Sequence, residues 1–233
     1  MISPTQPLII TIDGPAGTGK SSVAHMLAMR LGLEFLDTGA MYRAAALLAI
    51  ENSITIDDGE SIATALASTT LVFDWKSSPP RLLLSGRDVS PFIRTAEVTE
   101  AVSPVSACSD VRREMVRRQR EIASAHPRLV TEGRDQGSVV FPRAEIKVYL
   151  TASPEERARR RHREEVSRGL DATVAVVLAS QSQRDAADAS RTVGTMRQAD
   201  DAVLLETDGL SAEEVVQRLV EMVEDYYRRR SGA

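Results

Sequence analysis

Residues 14 to 21 read GPAGTGKS, two glycines five positions apart followed by lysine and serine. Phosphate binding accounts for each residue type. Glycine lets main-chain N–H groups turn inward and approach phosphate oxygens with no Cβ in the way. A helix that starts after Gly19 aims its positive end at the same anion. Lys20 can reach the β- and γ-phosphates, and the Ser21 hydroxyl can ligate Mg2+. The flanks suit this use. The apolar run LIITID precedes the loop as a buried strand, and Val23, Met26, Leu27 and Leu31 follow at helical spacing. A glycine turn arising by chance would need neither flank. The segment reads as a cradle for a nucleoside triphosphate, formed by Gly14, Pro15, Ala16, Gly17, Thr18, Gly19, Lys20, Ser21 and Ser22. Asp13 would support the loop or, through water, the Mg2+ shell.

Four further segments carry chemistry. DTGAMYR, at 37–43, ends a second short strand, and ligands gather beyond the carboxyl ends of parallel strands. Thr38 could cap the next helix or meet a ligand, and Arg43 could reach a second phosphate. EGRDQGSVVFP, at 132–142, ends another strand, and its Arg134 and Asp135 belong either to a tight turn or to a site. RARRRHR, at 157–163, sets five arginines on one helix. That is a solvated basic face, a nucleic-acid patch, or a lid whose guanidinium groups close over transferring phosphates. Aromatic residues make up 4% of the chain, which leaves few partners for stacked bases. Arg184, Asp188 and Arg191 share one helical face. They form either an ion pair or a seat for a nucleoside monophosphate, with its phosphate and sugar diol. His25, His126, His162, Trp75 and Tyr42 read as packing or surface residues, and no nucleophile–base series points to covalent catalysis.

The elements that must position these residues alternate. Strands at 8–13, 35–36, 129–131, 146–150 and 203–206 are interleaved with helical patterns at 21–31, 41–51, 154–169, 173–191 and 211–228. Such alternation implies a parallel sheet with helices on both faces. From about 71 to 120 the pattern changes. LVFDW, the turn-rich KSSPP and RLLLSGRDV read as a β-hairpin, and helices at 95–107 and 110–125 follow. The expectation is one α/β domain with three parts. They are a core (about 1–58, 126–153 and 171–233), an inserted α+β substrate subdomain (about 59–125) and a short helical lid (about 154–170). The length of 233 residues fits one domain, and 42% hydrophobic with 27% charged residues is ordinary globular composition. A net charge of -4 argues against coating nucleic acid or an anionic membrane. The single Cys108 leaves no internal disulfide and no cysteine-cluster zinc site. With neither a signal-peptide pattern nor a long apolar run, a cytoplasmic location is expected.

Taken in order, TIDGPAGTGKSS, LDTGAMYR, GRDVSPFIRT, VRREMVRRQR, EGRDQGSVVFP, SPEERARRR and QRDAADASR resemble the motifs of bacterial cytidylate kinases. These belong to the nucleoside monophosphate kinase group of P-loop kinases. The resemblance runs from about residue 10 to 191 and takes in the insertion, which is shorter in related monophosphate kinases. It implies a monomeric, Mg2+-dependent enzyme with ATP and CMP or dCMP as substrates, giving CDP or dCDP. Thr38, Arg43, Arg134 and Arg191 would bind the monophosphate. Ser103, Arg112 and Asp135 would read cytosine, and Arg184 and Asp188 would hold the sugar. Arg157, Arg160 or Arg161 would come from the lid to the transferring group, alongside Lys20, Arg134 and Arg191. Cytosine donates from N4 and accepts at N3 and O2, which suits a carboxylate, an arginine and a serine. Uracil turns that donor into an acceptor, so Asp135 should reject it. The chain departs from the family pattern in three places. Thr38 stands where serine is frequent, Glu132 where aspartate is common, and Ala186, Ala187 and Ala189 where charged residues are common. Other readings of the loop are a kinase with UMP, AMP or another small-molecule acceptor, and a nucleotide-hydrolysing switch. The Asn-Lys-x-Asp element that reads guanine is missing, since Asn52 is the one asparagine and serine follows it.

Overall fold

The computed structural model describes residues 6–167, 169, 172–190 and 194–231. β1 (Leu8–Asp13) leads through the glycine loop into α1 (Lys20–Leu31). β2 (Glu34–Asp37) runs directly into α2 (Thr38–Glu51), and α3 (Gly59–Ala67) follows. A small antiparallel sheet of β3 (Leu71–Asp74), β4 (Arg81–Leu84) and β5 (Arg87–Asp88) precedes α4 (Ala96–Ala107) and α5 (Ser109–Ala125). Then come β6 (Arg128–Gly133), β7 (Ile146–Thr151), α6 (Pro154–Ser167), α7 (Val174–Ser190), β8 (Val203–Glu206) and α8 (Ala212–Ser231).

Among the described residues the central sheet has five strands in the order β2-β6-β1-β7-β8, each pairing parallel. The register puts the strand ends level. Asp13 pairs with Gly133 and Tyr149, and Asp37 with Glu132. The loops after β1, β2 and β6 therefore open along one edge, where the polar motifs lie.

Successive side chains of β1 point to opposite faces. Leu8, Ile10 and Ile12 pack with Val23 and Leu27 of α1 and with Val216, Leu219 and Val223 of α8. On the other face Met41 and Leu48 of α2 join Ile62, Leu66, Met115 and Leu129. Leu71, Phe73, Leu82 and Leu84 belong to this second core, so the small sheet shares its packing with α2. Fully burying one such side chain contributes roughly 1.5–3 kcal/mol. No helix among the described residues is long and apolar enough to cross a membrane.

Two local expectations are corrected, and one turn was not anticipated. The expected hairpin carries a third strand, β5, on β4. Thr38 is not a helix cap, because the Asp37 carboxylate accepts from Ala40 N at 2.8 Å and α2 starts three residues early. The residues after Asp135 form a π-helical turn, Gln136–Val140. Asp13 draws that turn in, accepting from Gln136 N at 2.8 Å and Gly137 N at 2.7 Å. Gly137 suits the place, since a Cβ there would lie 2.8 Å from Thr11 Oγ1.

Candidate active site

The phosphate loop is shaped by close approach. Gly14, Gly17 and Gly19 have φ of 142°, 82° and 86°, a region that L side chains rarely enter. A Cβ on Gly14 would also overlap the Leu150 carbonyl of β7. Lys20 is only 5% exposed, and its Nζ donates to Pro15 O at 2.8 Å. Burial, helped by the neighbouring Arg134 charge, pushes its pKa down to about 7. Glu132, Asp13 and Asp185 pull the other way, but burial outweighs them.

Oxygen ligands face the loop. Ser21 Oγ donates to Glu132 Oε1 at 2.9 Å. Asp37 stands beside Glu132 in the sheet register. Burial and then the Glu132 charge push the Asp37 pKa up to about 6. A hydroxyl and two mutually repelling carboxylates form a hard oxygen donor set of the kind Mg2+ takes, so the residues fit that ion. Both Asp13 oxygens accept from the π-helical turn, as Asp37 accepts from Ala40 N and Arg94. Burial outweighs the amide bonds to Asp13 and raises its pKa to about 6.

A second cationic region lies across the cavity. Arg43 Nη1 donates to Thr99 Oγ1 at 2.9 Å and Ile93 O at 3.4 Å, while Arg184 Nη2 donates to Thr99 O at 3.5 Å. Arg94 pairs with Asp37 at 3.3 Å. Burial, then the Arg184 and Arg94 charges, lower the Arg43 pKa to about 10. Thr38 Oγ1 donates to Glu132 O at 2.6 Å, and Arg134 Nε to Asp188 Oδ2 at 3.0 Å. The two cationic regions open into one cavity of about 880 Å³, lined by Lys20, Ser22, Arg43, Ser103, Arg134 and Arg184 among others.

At the inner end Arg112 pairs with Asp135, and each residue is 3% exposed. The Arg112 guanidinium lies over the Tyr42 ring at 5.6 Å, so Tyr42 holds a site arginine as well as packing. The Gly194 main chain, with φ of 66°, closes on the same guanidinium so tightly that a Cβ would overlap it. Arg112 Nε is buried without a partner among the described residues.

The three expected lid arginines diverge. Arg157 pairs with Asp185 and donates to Ala16 O at 3.0 Å. Arg160 donates to Thr18 O at 3.3 Å and to Thr207 O at 2.6 Å. Arg161 lines the cavity, held by Glu164 at 3.0 Å and Glu165 at 2.8 Å. Arg191 lies outside the described residues.

Residues 10–225 match the family model described as cytidylate kinase. This chain belongs to the cytidylate kinase family. A cytidylate kinase of Carboxydothermus hydrogenoformans is 45% identical over 214 residues, covering 92% of this chain and 96% of that protein. One from Rhodococcus jostii is 44% identical over 229 residues, 98% of each chain. A crystal structure of an uncharacterized protein from Eubacterium ventriosum is 12% identical with a TM-score of 0.51, covering 94% of this chain and 99% of that one. That last likeness concerns the fold alone. As a cytidylate kinase family member the protein is an enzyme, a kinase with an α/β P-loop fold.

The cytidylate kinase motifs did not point to every residue that meets the site. Asp37 could have been found, since it ends β2 just as Asp13 ends β1. Arg94 and Asp185 lie inside the motifs GRDVSPFIRT and QRDAADASR and Thr99 outside them, but nothing local singled them out, because their partners Asp37, Arg157 and Arg43 lie far along the chain.

Proposed function

We propose that this protein transfers the γ-phosphoryl group of ATP to the phosphate of CMP or dCMP, yielding ADP with CDP or dCDP. The observation that carries this reading is that two cationic regions of different construction line one cavity, Lys20 in its glycine loop and Arg43 among further guanidinium groups.

In this reading residues 14–22 hold the triphosphate through Lys20 and through loop amides other than those of Pro15, which has none, and Ala16, whose N–H goes to Asp185. Ser21, Glu132 and Asp37 would hold Mg2+, which when bound neutralises charge on the β- and γ-oxygens. Thr38, Arg43, Arg134 and Arg191 bind the acceptor phosphate, and Arg184 and Asp188 the sugar. Arg112, Asp135 and Ser103 read cytosine. The acceptor is already an anion, so no general base is required. Rate enhancement comes from holding two anionic groups in line and neutralising the charge between them. Residues 59–125 close over the acceptor and residues 154–170 over the donor. The enzyme acts as a cytoplasmic monomer in pyrimidine nucleotide metabolism.

A coupled assay of ADP release over a panel of acceptors tests the reading. CMP and dCMP should turn over far faster than UMP or AMP. Turnover of UMP or AMP above CMP would overturn it, and hydrolysis undiminished without acceptor would favour a switch.

A further inference from the structure

We propose that Asp185 is a positioning residue of the donor site, clamping Arg157 onto the phosphate loop so that ATP meets a loop braced from α7. The inference rests on the reading above for the identity of the donor.

A carboxylate next to a loop built for phosphate is electrostatically costly unless a cation matches it. Asp185 is matched. Its Oδ2 accepts from Arg157 Nη1, and its Oδ1 accepts from Ala16 N at 3.4 Å. The same Arg157 Nη1 donates to Ala16 O at 3.0 Å, and Arg157 Nε donates to Ala152 O at 3.3 Å. Both main-chain polar groups of Ala16 are thus held by one ion pair whose side chains are 8% and 16% exposed.

The packing agrees. Gln181, one turn before Asp185 on α7, donates Nε2 to Arg157 O at 3.4 Å. A Cβ on Gly17 would lie 2.6 Å from that Nε2 and 3.1 Å from the Arg157 Cβ. Glycine at 17 therefore lets α6 and α7 settle on the loop. α7 also carries Arg184 and Asp188, so the helix that lines the acceptor side holds the donor loop as well. With Nη1 committed to Asp185 and Ala16, Arg157 acts through the loop. Breaking a buried pair from one side strands the other charge, so Asp185 and Arg157 should behave as one unit.

ATP affinity is measured by calorimetric titration without acceptor for the wild type, Asp185→Asn, Arg157→Met and the double variant. Circular dichroism and Tm establish that each is folded. We expect each single change to weaken ATP binding about tenfold, with the double variant no weaker than the weaker single. The CMP KM should stay within about twofold of wild type. Arg157→Lys, which keeps the charge, should recover part of the affinity when Asp185 is present and none in the Asp185→Asn background. The proposal is overturned if Asp185→Asn binds ATP within about twofold of wild type, or if the two effects multiply. A wild type that binds ATP yet leaves CMP unphosphorylated would sink the acceptor reading while leaving this inference intact.

Discussion

Ser21 Oγ donates to Glu132 Oε1 across 2.9 Å, joining the first turn of α1 to the end of β6. The contact brings a loop hydroxyl to a buried carboxylate whose neighbour in register, Asp37, is a half-buried acid. Two such carboxylates side by side disfavour each other until a cation arrives.

That pairing predicts a metal phenotype. Glu132→Gln should raise the Mg2+ concentration needed for half-maximal turnover by about tenfold or more, a loss typical of removing one charged oxygen ligand. It should also bring the Asp37 pKa down towards the ordinary carboxylate value, because the neighbouring charge is gone. Turnover against Mg2+ at fixed ATP, with an NMR titration of Asp37 in EDTA, checks both.

Three groups shifted chiefly by desolvation predict an unusual pH profile. Asp13 and Asp37 titrate near 6 when folded against an ordinary value of 3.8, and Lys20 near 7 against 10.5. Between these carboxyl values the folded state binds more protons than the unfolded one, so stability falls as pH rises towards 6. Between the two lysine values the unfolded state binds more protons, so stability rises with pH above 7. The ligand-free, metal-free protein should therefore have a Tm minimum near pH 6–7, with each carboxyl contributing on the order of 3 kcal/mol. Lys20→Met should remove the rise above pH 7 and raise Tm, while cutting phosphoryl transfer by about a thousandfold or more. A Tm that climbs steadily from pH 5 to 7 would contradict the buried-charge account.

The Arg112–Asp135 pair predicts the base discrimination. Asparagine at 135 can donate as well as accept, so Asp135→Asn should lose its preference for the cytosine amino group. The ratio of kcat/KM for CMP over UMP is expected to fall by about a hundredfold, chiefly through a loss on CMP. An unchanged ratio would place base reading elsewhere.

Arg160 and Arg161 should separate cleanly. Arg161 faces the cavity, and its charge reaches Arg43. Arg161→Ala should lower kcat by about a hundredfold with KM values changed little, as for a group that acts at the transferring phosphoryl. Arg160 ties α6 to Thr207 and Thr18. Arg160→Ala should instead lower Tm, with a loss of about 1 kcal/mol of stability for a half-buried guanidinium donating to two main-chain carbonyls. The opposite pattern would exchange their roles.

How much was legible follows from how local each feature is. The strand–glycine loop–helix unit needs only contiguous residues, since backbone freedom at Gly14 and Gly19 and the adjacent Lys20 and Ser21 fix its use. Serine three residues before glutamate, at Ser153 and Ser211, is a local helix-start pattern too; Ser211 and Glu214 bond in both directions, whereas Ser153 accepts from Glu156 N but gives its own N–H to Asp208 at 2.9 Å. Periodicity likewise announced the alternating strands and helices. The π-helical turn after Asp135 was hidden, because the carboxylate that draws it in is Asp13 on another strand.

By itself, then, the sequence determined a parallel α/β core, a triphosphate cradle, and a set of arginines and acids in a recognisable order. Tertiary structure alone decided which of them meet. It joined Arg43 and Arg184 through Thr99, set Asp37 beside Glu132, and sent Arg157 to Asp185 while leaving Arg161 at the cavity. The reason is physical. The strength of a charge interaction depends on distance and burial, and both are set by how strands and helices pack, which no local run of residues encodes.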